Sequence, residues 1–361
     1  MAELQKAEVH ANPMGTDGFD FVEYAAPDAA LLHALFQTMG FSAVARHKRI
    51  EATLYRQGDI NFVVNEQPGS FAVRFAEQHG PSAVGFAIRV KDAPRALAEA
   101  RAKGAKPLAG RDLPFTVPVI EGIGGSALYL VDEYATPTKS GIDFFAHDFD
   151  YLPGVPRVPA GVGLLYVDHL THNVHQGQMA TWADYYERLF NFREIRYFDI
   201  KGVKTGLLSK AMTSPDGKVR IPINESADEK SQIAEYLKEY RGEGIQHIAL
   251  HTPDIFATVE RMRAAGVRFQ VTPDTYYEMV DERVPHHGED LARMQQLSIL
   301  IDGDREDDKG KHLLLQIFTQ NCIGPIFFEI IQRKGNEGFG EGNFRALFLS
   351  IERDQMRRGV I

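Results

Sequence analysis

The chain has 361 residues, of which 44% are hydrophobic and 25% charged; this composition excludes a disordered, collagenous or coiled-coil protein. Against 40 Lys and Arg stand 49 Asp and Glu, a formal charge of −9 spread along the chain, which argues against nucleic acid or an anionic membrane as partner. Cys322 is the single cysteine, so no intrachain disulfide can form, and a reducing, cytoplasmic setting is expected. Met1 to His10 is polar and carries Glu3 and Glu8, unlike a signal peptide. No apolar run approaches the ~20 residues of a membrane span. The length suggests two domains.

In chain order, FVEYA (Phe21 to Ala25) opens as a strand before a helical stretch. VGFAIRVKDAPRALAEARAKGA, from Val84, follows as strand, turn, amphipathic helix and glycine stop. SALYLVDEY reads as a strand, and GIGGS (Gly122 to Ser126) as a turn rather than a phosphate loop. The stretch YLPGVPRVPAGVG (Tyr151 to Gly163) holds three prolines and three glycines, so it reads as a linker between domains 1–150 and 164–361. Beyond it the pattern returns. YVDHL (Tyr166 to Leu170) matches FVEYA, and QHIALHTPDIFATVERMRAAGV matches the Val84 segment without gaps at an offset of 162. That offset pairs Ala87 with Ala249, Asp92 with Asp254 and Gly104 with Gly266, and sets Gly85 opposite His247. RIPINE, DTYYEM and HLLLQIFTQ read as strands, and Asp302 to Lys311 as a solvated hairpin loop. The expected fold is α+β, built of tandem strand–helix modules.

Three residues in the second half stand out. His247 lies between Gln246 and Ile248 in an apolar strand, and His169 lies in another, LLYVDHLTHNV. Glu329 is set among Phe327, Phe328, Ile330 and Ile331. A buried, unpaired carboxylate costs several kcal/mol, so a cation or a metal must compensate it. The first half carries FFAH at the corresponding place, with Ala146 opposite Glu329. Two imidazoles and one carboxylate from separate strands suit non-haem Fe(II), while zinc could use the same ligands without redox chemistry. His172 and His175 compete with His169, and periodicity leaves that choice open.

The runs DHLTHNV, GIQHIAL, LLLQIFT, FFEIIQRKG and GFGEGNFRALF resemble those of the 4-hydroxyphenylpyruvate dioxygenases, of the vicinal oxygen chelate superfamily. The resemblance is dense in the second half and looser in the first, through GFDFVEYA and GIGGSALYLVD. It implies tandem βαβββ modules forming two open β-barrels, the first metal-free and the second holding one Fe(II) on His169, His247 and Glu329. It implies a substrate pocket of Ser209, Asn224, Gln232, Gln246, Gln316, Phe318, Phe327, Phe339, Asn343 and Phe344. The implied reaction turns 4-hydroxyphenylpyruvate and O2 into homogentisate and CO2 in tyrosine and phenylalanine catabolism. Because the substrate carries its own 2-oxo acid, no 2-oxoglutarate is required. A homo-oligomer, dimer or tetramer, is expected. Two alternatives stand beside this: 4-hydroxymandelate synthase, which has a smaller β-branched residue where this chain has Phe318, and a non-catalytic binding protein of the same fold.

The C-terminus reads as a gate. Glycines at 335, 338, 340 and 342 precede a helix with Asn343 as its N-cap. Phe344, Leu347, Phe348 and Ile351 then form one apolar face that could cover the pocket.

Overall fold

A computed structural model describes residues 10–108, 113, 115–135, 143–201, 206–226, 231–303 and 312–347. Strands β1 (Phe19–Ala25), β2 (Ser42–His47), β3 (Ala52–Gln57), β4 (Ile60–Asn65), β5 (Ser82–Arg89), β6 (Val119–Glu121), β7 (Ala127–Val131) and β8 (Phe149–Tyr151) form one sheet. Their spatial order is β6-β7-β5-β1-β4-β3-β2-β8. A second sheet contains β9 (Tyr166–Val174), β10 (Arg193–Lys201), β11 (Gly206–Thr213), β12 (Arg220–Ser226), β13 (Gly244–His251), β14 (Leu300–Gly303), β15 (Leu313–Phe318) and β16 (Phe327–Lys334). Its order is β10-β11-β12-β9-β13-β16-β15-β14.

The two sheets share one wiring. The first strand of each half runs antiparallel to the strand beside it, β1 with β5 and β9 with β13. It also runs parallel to the last strand of its own module, β1 with β4 and β9 with β12. Parallel neighbours need a crossover, and helices Ala30–Thr38 and Met179–Phe190 begin it for these two pairs. Helices Ala93–Ala102 and Ile255–Ala264 begin where Asp92 and Asp254 accept hydrogen bonds from the backbone N–H groups of Arg95 and Ala257. Both stop at a glycine of positive φ, Gly104 and Gly266, as side-chain caps and left-handed glycines dictate. The gapless repeat in the sequence is thus one strand–helix unit used twice.

Two sequence-based correspondences shift. β13 pairs in parallel with β16, and β5 in parallel with β7. Ala249 faces Glu329 across the first pair, and Ala87 faces Tyr129 across the second. The residue in the place of Glu329 is therefore Tyr129, not Ala146, which sits in the short helix Phe145–Asp148. The two halves differ in chain length beyond the matched unit, and only strand pairing reveals the correspondence. Likewise Ala249 faces His169, and the residues across from Ala87 on β1 are Asp20 and Phe21. That aligns Phe21 with His169 and displaces the match of FVEYA to YVDHL by three residues. DTYYEM is not a strand: Asp274–Tyr277 is a helical turn. Its two tyrosines, Tyr276 and Tyr277, are buried there in the core between the second sheet and its helices.

The halves are packed together. Phe62 meets Phe328 with ring centroids 5.8 Å apart, and Nδ1 of His79 lies 2.9 Å from the Tyr240 carbonyl oxygen. Gly124 is forced by this contact, because a Cβ there would come within 2.0 Å of the Glu243 carbonyl oxygen. Among the described residues, no helix is long and apolar enough to cross a membrane.

In the first sheet the positions matching the three candidate ligands hold Phe21, Gly85 and Tyr129. Phe21 and Tyr129 are fully buried with ring centroids 5.1 Å apart, among Phe115, Phe144 and Phe145. Beside them Glu23 is also fully buried, accepting hydrogen bonds from the Tyr129 hydroxyl at 2.6 Å and the Asn65 amide at 2.8 Å. Burial raises its carboxyl pKa, and those two hydrogen bonds only partly offset the effect. A carboxyl whose pKa is raised on folding costs stability once pH exceeds the ordinary value of about 4.5, and costs nothing when both states are protonated. Glu23→Gln is therefore expected to raise the melting temperature by a few degrees at pH 8 and to have little effect near pH 4. Thermal melts at the two pH values check this, and equal shifts at both would contradict it.

Candidate metal centre

Paired residues on neighbouring strands project from the same face of a sheet, as do residues two apart on one strand. Ala249, at the middle of β13, has His169 of β9 on one side and Glu329 of β16 on the other. His247 lies two residues before Ala249 on the same face, flanked by Thr171 and Phe327. Three adjacent strands thus aim two imidazoles and a carboxylate at one point, and the small side chain of Ala249 leaves room between them.

Those three side chains are buried, at 2%, 8% and 2% exposure for His169, His247 and Glu329. Nε2 of His169 lies 3.3 Å from Nε2 of His247 and 3.2 Å from Oε2 of Glu329, and His247 Nε2 is 3.4 Å from the same oxygen. Donors bound at about 2.1 Å to one ion stand about 3.0–3.4 Å apart, for right-angled to tetrahedral arrangements. The second carboxylate oxygen, Oε1 of Glu329, is buried without a hydrogen-bond partner. The group fits a metal ion.

Each imidazole must then carry its proton on Nδ1 and leave Nε2 bare. Nδ1 of His169 is 2.8 Å from Oδ1 of Asp168, and Nδ1 of His247 is 3.0 Å from Oε1 of Gln246. In a regular strand the preceding residue faces the opposite side and cannot reach. Here the register of β13 against β9 slips at two places, between Ala249 and Leu250 and between Ile245 and His247. These bulges fall at Asp168 and Gln246, and a bulge re-aims the side chain it carries.

Electrostatics follow from this packing. Burial works to raise the Glu329 pKa, but the charge and hydrogen bonds of His169 and His247 outweigh it and hold the carboxyl down at about 2. Burial also opposes ionisation of Asp168, yet Arg333 outweighs it with charge and a two-point hydrogen bond, at 2.8 and 2.7 Å. His172, the competing histidine, points to the other face: its Nε2 meets the Tyr186 hydroxyl at 2.7 Å, and burial lowers its pKa to about 3.

The remaining expected site residues divide. Phe327 stacks on His247 with centroids 4.9 Å apart, Phe318 meets both rings edge-on, and Phe339 meets His169 edge-on at 5.4 Å. Phe318 faces Glu329 across β15 and β16, and Gln316, two residues away, shares that face, buried with Oε1 unpartnered. Ser209 faces Asn224, which faces Asn173, continuing the row across β11, β12 and β9. Gln246 holds His247 through its Oε1. Gln232 is exposed at the start of helix Gln232–Tyr240, and Phe344 is 42% exposed.

Asn343 is not the expected N-cap. The chain is already helical at 341, and Asn343 is buried within the helical residues 341–347. Its Oδ1 accepts hydrogen bonds from the Tyr276 hydroxyl at 2.6 Å and Arg283 Nη2 at 3.2 Å. Tertiary partners claim the side chain that local pattern assigned to a cap. Phe348 and Ile351, the rest of the expected apolar face, lie outside the described residues.

Sequence reasoning missed Asp168, Thr171, Asn173 and Arg333. Thr171 Oγ1 lies 2.9 Å from His247 Nε2, and the amide of buried Asn173 has no partner at either atom. The available signal was the pair Asp168-His169, two consecutive polar residues in an apolar strand, which breaks strict alternation. The first sheet also borders a half-open cavity of about 400 Å³. Of its charged lining, Arg56 pairs with Asp143 and Arg89 with Asp20 and Asp59, while Arg157 lies 4.3 Å over the Tyr151 ring.

Residues 10–151 match the family model described as hydroxyphenylpyruvate dioxygenase, N-terminal. Residues 166–279 match that of the glyoxalase/bleomycin resistance protein/dioxygenase superfamily. The chain is 56% identical to 4-hydroxyphenylpyruvate dioxygenase of Pseudomonas aeruginosa over 100% of both proteins. It is 58% identical to hemolysin VllY of Vibrio vulnificus, over 97% of this chain and 98% of that one. A solved mutant of 4-hydroxymandelate synthase from Streptomyces coelicolor matches 95% of this chain and 100% of its own, with TM-score 0.78 and 25% identity.

If the three side chains share one ion, His169→Ala, His247→Ala and Glu329→Ala should each lower Co(II) affinity by at least about 100-fold. The wild-type chain should take up one ion, because Phe21, Gly85 and Tyr129 offer no comparable group. Calorimetric titration of anaerobic protein measures both. Two tight sites per chain, or wild-type affinity in Glu329→Ala, would overturn the assignment.

Proposed function

The chain belongs to the 4-hydroxyphenylpyruvate dioxygenase family, and from that premise we infer that it converts 4-hydroxyphenylpyruvate and O2 into homogentisate and CO2 using one Fe(II) on His169, His247 and Glu329. The observation that carries the reading is the buried pair of imidazoles and one carboxylate on a single sheet face. His169, His247 and Glu329 would hold the ion with three donors, and such a set would leave it able to bind substrate and O2. When bound, Fe(II) supplies the activation of O2 that organic side chains cannot. The substrate's own 2-oxo acid loses CO2, so no second oxo acid is consumed. One atom of O2 ends in the new carboxylate and the other on the ring.

This chain's residues orient and protect. Glu329, a buried carboxylate, would supply one negative charge toward the cation. Phe318 and Phe327, with centroids 6.0 Å apart and planes near perpendicular, offer a hydroxyphenyl ring the edge and face contacts that aromatic groups prefer. Gln316, Asn224 and Ser209 offer neutral hydrogen bonds to the phenol and the oxo-acid end without burying further charge. Phe339, against His169, shields the pocket from water. We assign these side chains to the pocket, and we place the working enzyme in a reducing compartment, consistent with the single half-buried thiol of Cys322.

Phe318 distinguishes this reading from mandelate synthesis, which attacks the benzylic carbon of the same substrate. A large ring beside Glu329 restricts how the substrate ring can lie. The test is product identification by chromatography after aerobic turnover with Fe(II). Homogentisate is expected from the wild type, and hydroxymandelate in its place would overturn the assignment. Phe318→Val is expected to lower the homogentisate yield per O2 consumed by about several-fold, on the scale of a misplaced substrate. Unchanged yield and rate would remove the role given to that ring.

A further inference from the structure

Arg333, at the end of β16, connects two parts of the site that the reaction uses separately. Its Nε and Nη2 hold both oxygens of Asp168, at 2.8 and 2.7 Å, and Asp168 in turn holds Nδ1 of His169. Its Nη1 reaches the carbonyl oxygens of Asn336 and Gly338, at 3.1 and 2.6 Å. The guanidinium also lies 5.8 Å over the ring of Phe339, which meets His169 edge-on. One 7%-exposed side chain therefore touches the orienting partner of a metal ligand and the backbone of the segment that closes over it.

That segment has further anchors. Glu337 pairs with Arg220, which also reaches Asp168 at 3.3 Å, and Glu341 pairs with Arg196 on β10. Gly340 is pressed onto Gln316, where a Cβ would come within 1.9 Å of its amide oxygen. Two of these anchors converge on Asp168, so the carboxylate that fixes the His169 ring also fixes the position of residues 336–338.

The first half supplies an internal control. Asp20 occupies the bulge matching Asp168, and Arg89 donates to it at 2.8 Å. The following residue is Phe21, and Oδ1 of Asp20, which would hold an imidazole Nδ1, is buried without a partner. The remaining nitrogens of Arg89 go to Asp59. Arg89 stands on β5, at the place of His251 and not of Arg333, so the two halves bring an arginine to the bulge carboxylate from different strands; the carbonyl contacts of Arg333 belong to the second half.

Resting on the metal reading above, we infer that Arg333 is a positioning residue that couples occupancy of the metal centre to docking of residues 335–341 over it. An ion on Nε2 polarises the His169 ring, strengthens its Nδ1–H bond to Asp168, and tightens the arginine that grips the segment. Linkage makes the effect reciprocal: a docked segment raises metal affinity by the same factor.

The experiment uses the full chain with Co(II) as probe, under nitrogen, and reads Co(II) affinity by titration and backbone hydrogen exchange at 335–341 with and without the ion. In the wild type Co(II) should slow exchange there several-fold. Arg333→Gln should weaken Co(II) binding by about 10–100-fold, the usual range for such supporting residues, and abolish the slowing. Arg333→Lys keeps a cation beside Asp168 but cannot hold two carbonyls as well, so it should lose the slowing and, with it, only the matching several-fold of affinity, less than Arg333→Gln loses. Should Arg333→Gln not fold, Arg333→Lys decides alone. A purely structural role predicts lower melting temperatures with both readouts unchanged in the folded variants, and that result overturns the inference. Failure of the wild type to bind Co(II) defeats the metal reading and this one together. Binding without any effect on exchange defeats the coupling only.

Discussion

Two imidazoles can share an ion only if each presents a bare Nε2, and a neutral imidazole does so only when its other nitrogen has somewhere to send its proton. Much of the second sheet's irregularity answers that requirement. Asp168 and Gln246 sit at bulges, each directly before the histidine it steadies. The two supports are unequal: a carboxylate backed by an arginine on one side, a neutral amide on the other. A charged acceptor makes His169 the more basic ligand, and its pKa is indeed raised by the neighbouring carboxylates against the pull of burial. His247 lacks such support, and burial leaves its pKa lowered.

The sequence made the ligands legible because they are anomalies. A carboxylate among phenylalanines and isoleucines, and histidines in apolar strands, violate the alternation that a sheet otherwise enforces. Helix limits were equally readable at Asp92, Gly104, Asp254 and Gly266, where capping chemistry is local. What could not be read depends on pairing between distant segments. The bulges exist only relative to a partner strand, so the roles of Asp168 and Gln246 were hidden, as was the link from Arg333. Asn343 was misread for the same reason, since its partners Tyr276 and Arg283 are some 60 residues away. Tyr129 was passed over for Ala146 because the halves differ in length outside the matched unit. For Gln232 and Phe344 family likeness alone nominated a pocket role, and both are exposed.

The first half shows what the architecture does without an ion. Its corresponding face is filled by Phe21, Tyr129 and neighbouring phenylalanines, so dispersion and burial replace coordination as the filler of the same space. The halves then lean on each other through Phe62, Phe328, His79 and Tyr240, so the packed half also serves as a rigid wall behind the reactive one.

Ala87 and Ala249 hold the same seat, each at the centre of three strands, and Asp20 still waits at its bulge with one oxygen unpartnered. The chain therefore contains a second setting of the same plan that differs by three side chains from a donor set: an imidazole at 21, another at 85 and a carboxylate at 129. Of these, position 85 is the obstacle, because a Cβ there would come within 2.6 Å of the Ala127 carbonyl oxygen. At position 85 it is main chain, not a flexible side chain, that occupies the space a histidine would need. A donor set in the first sheet is barred by main-chain geometry at that one position as well as by the identity of the side chains.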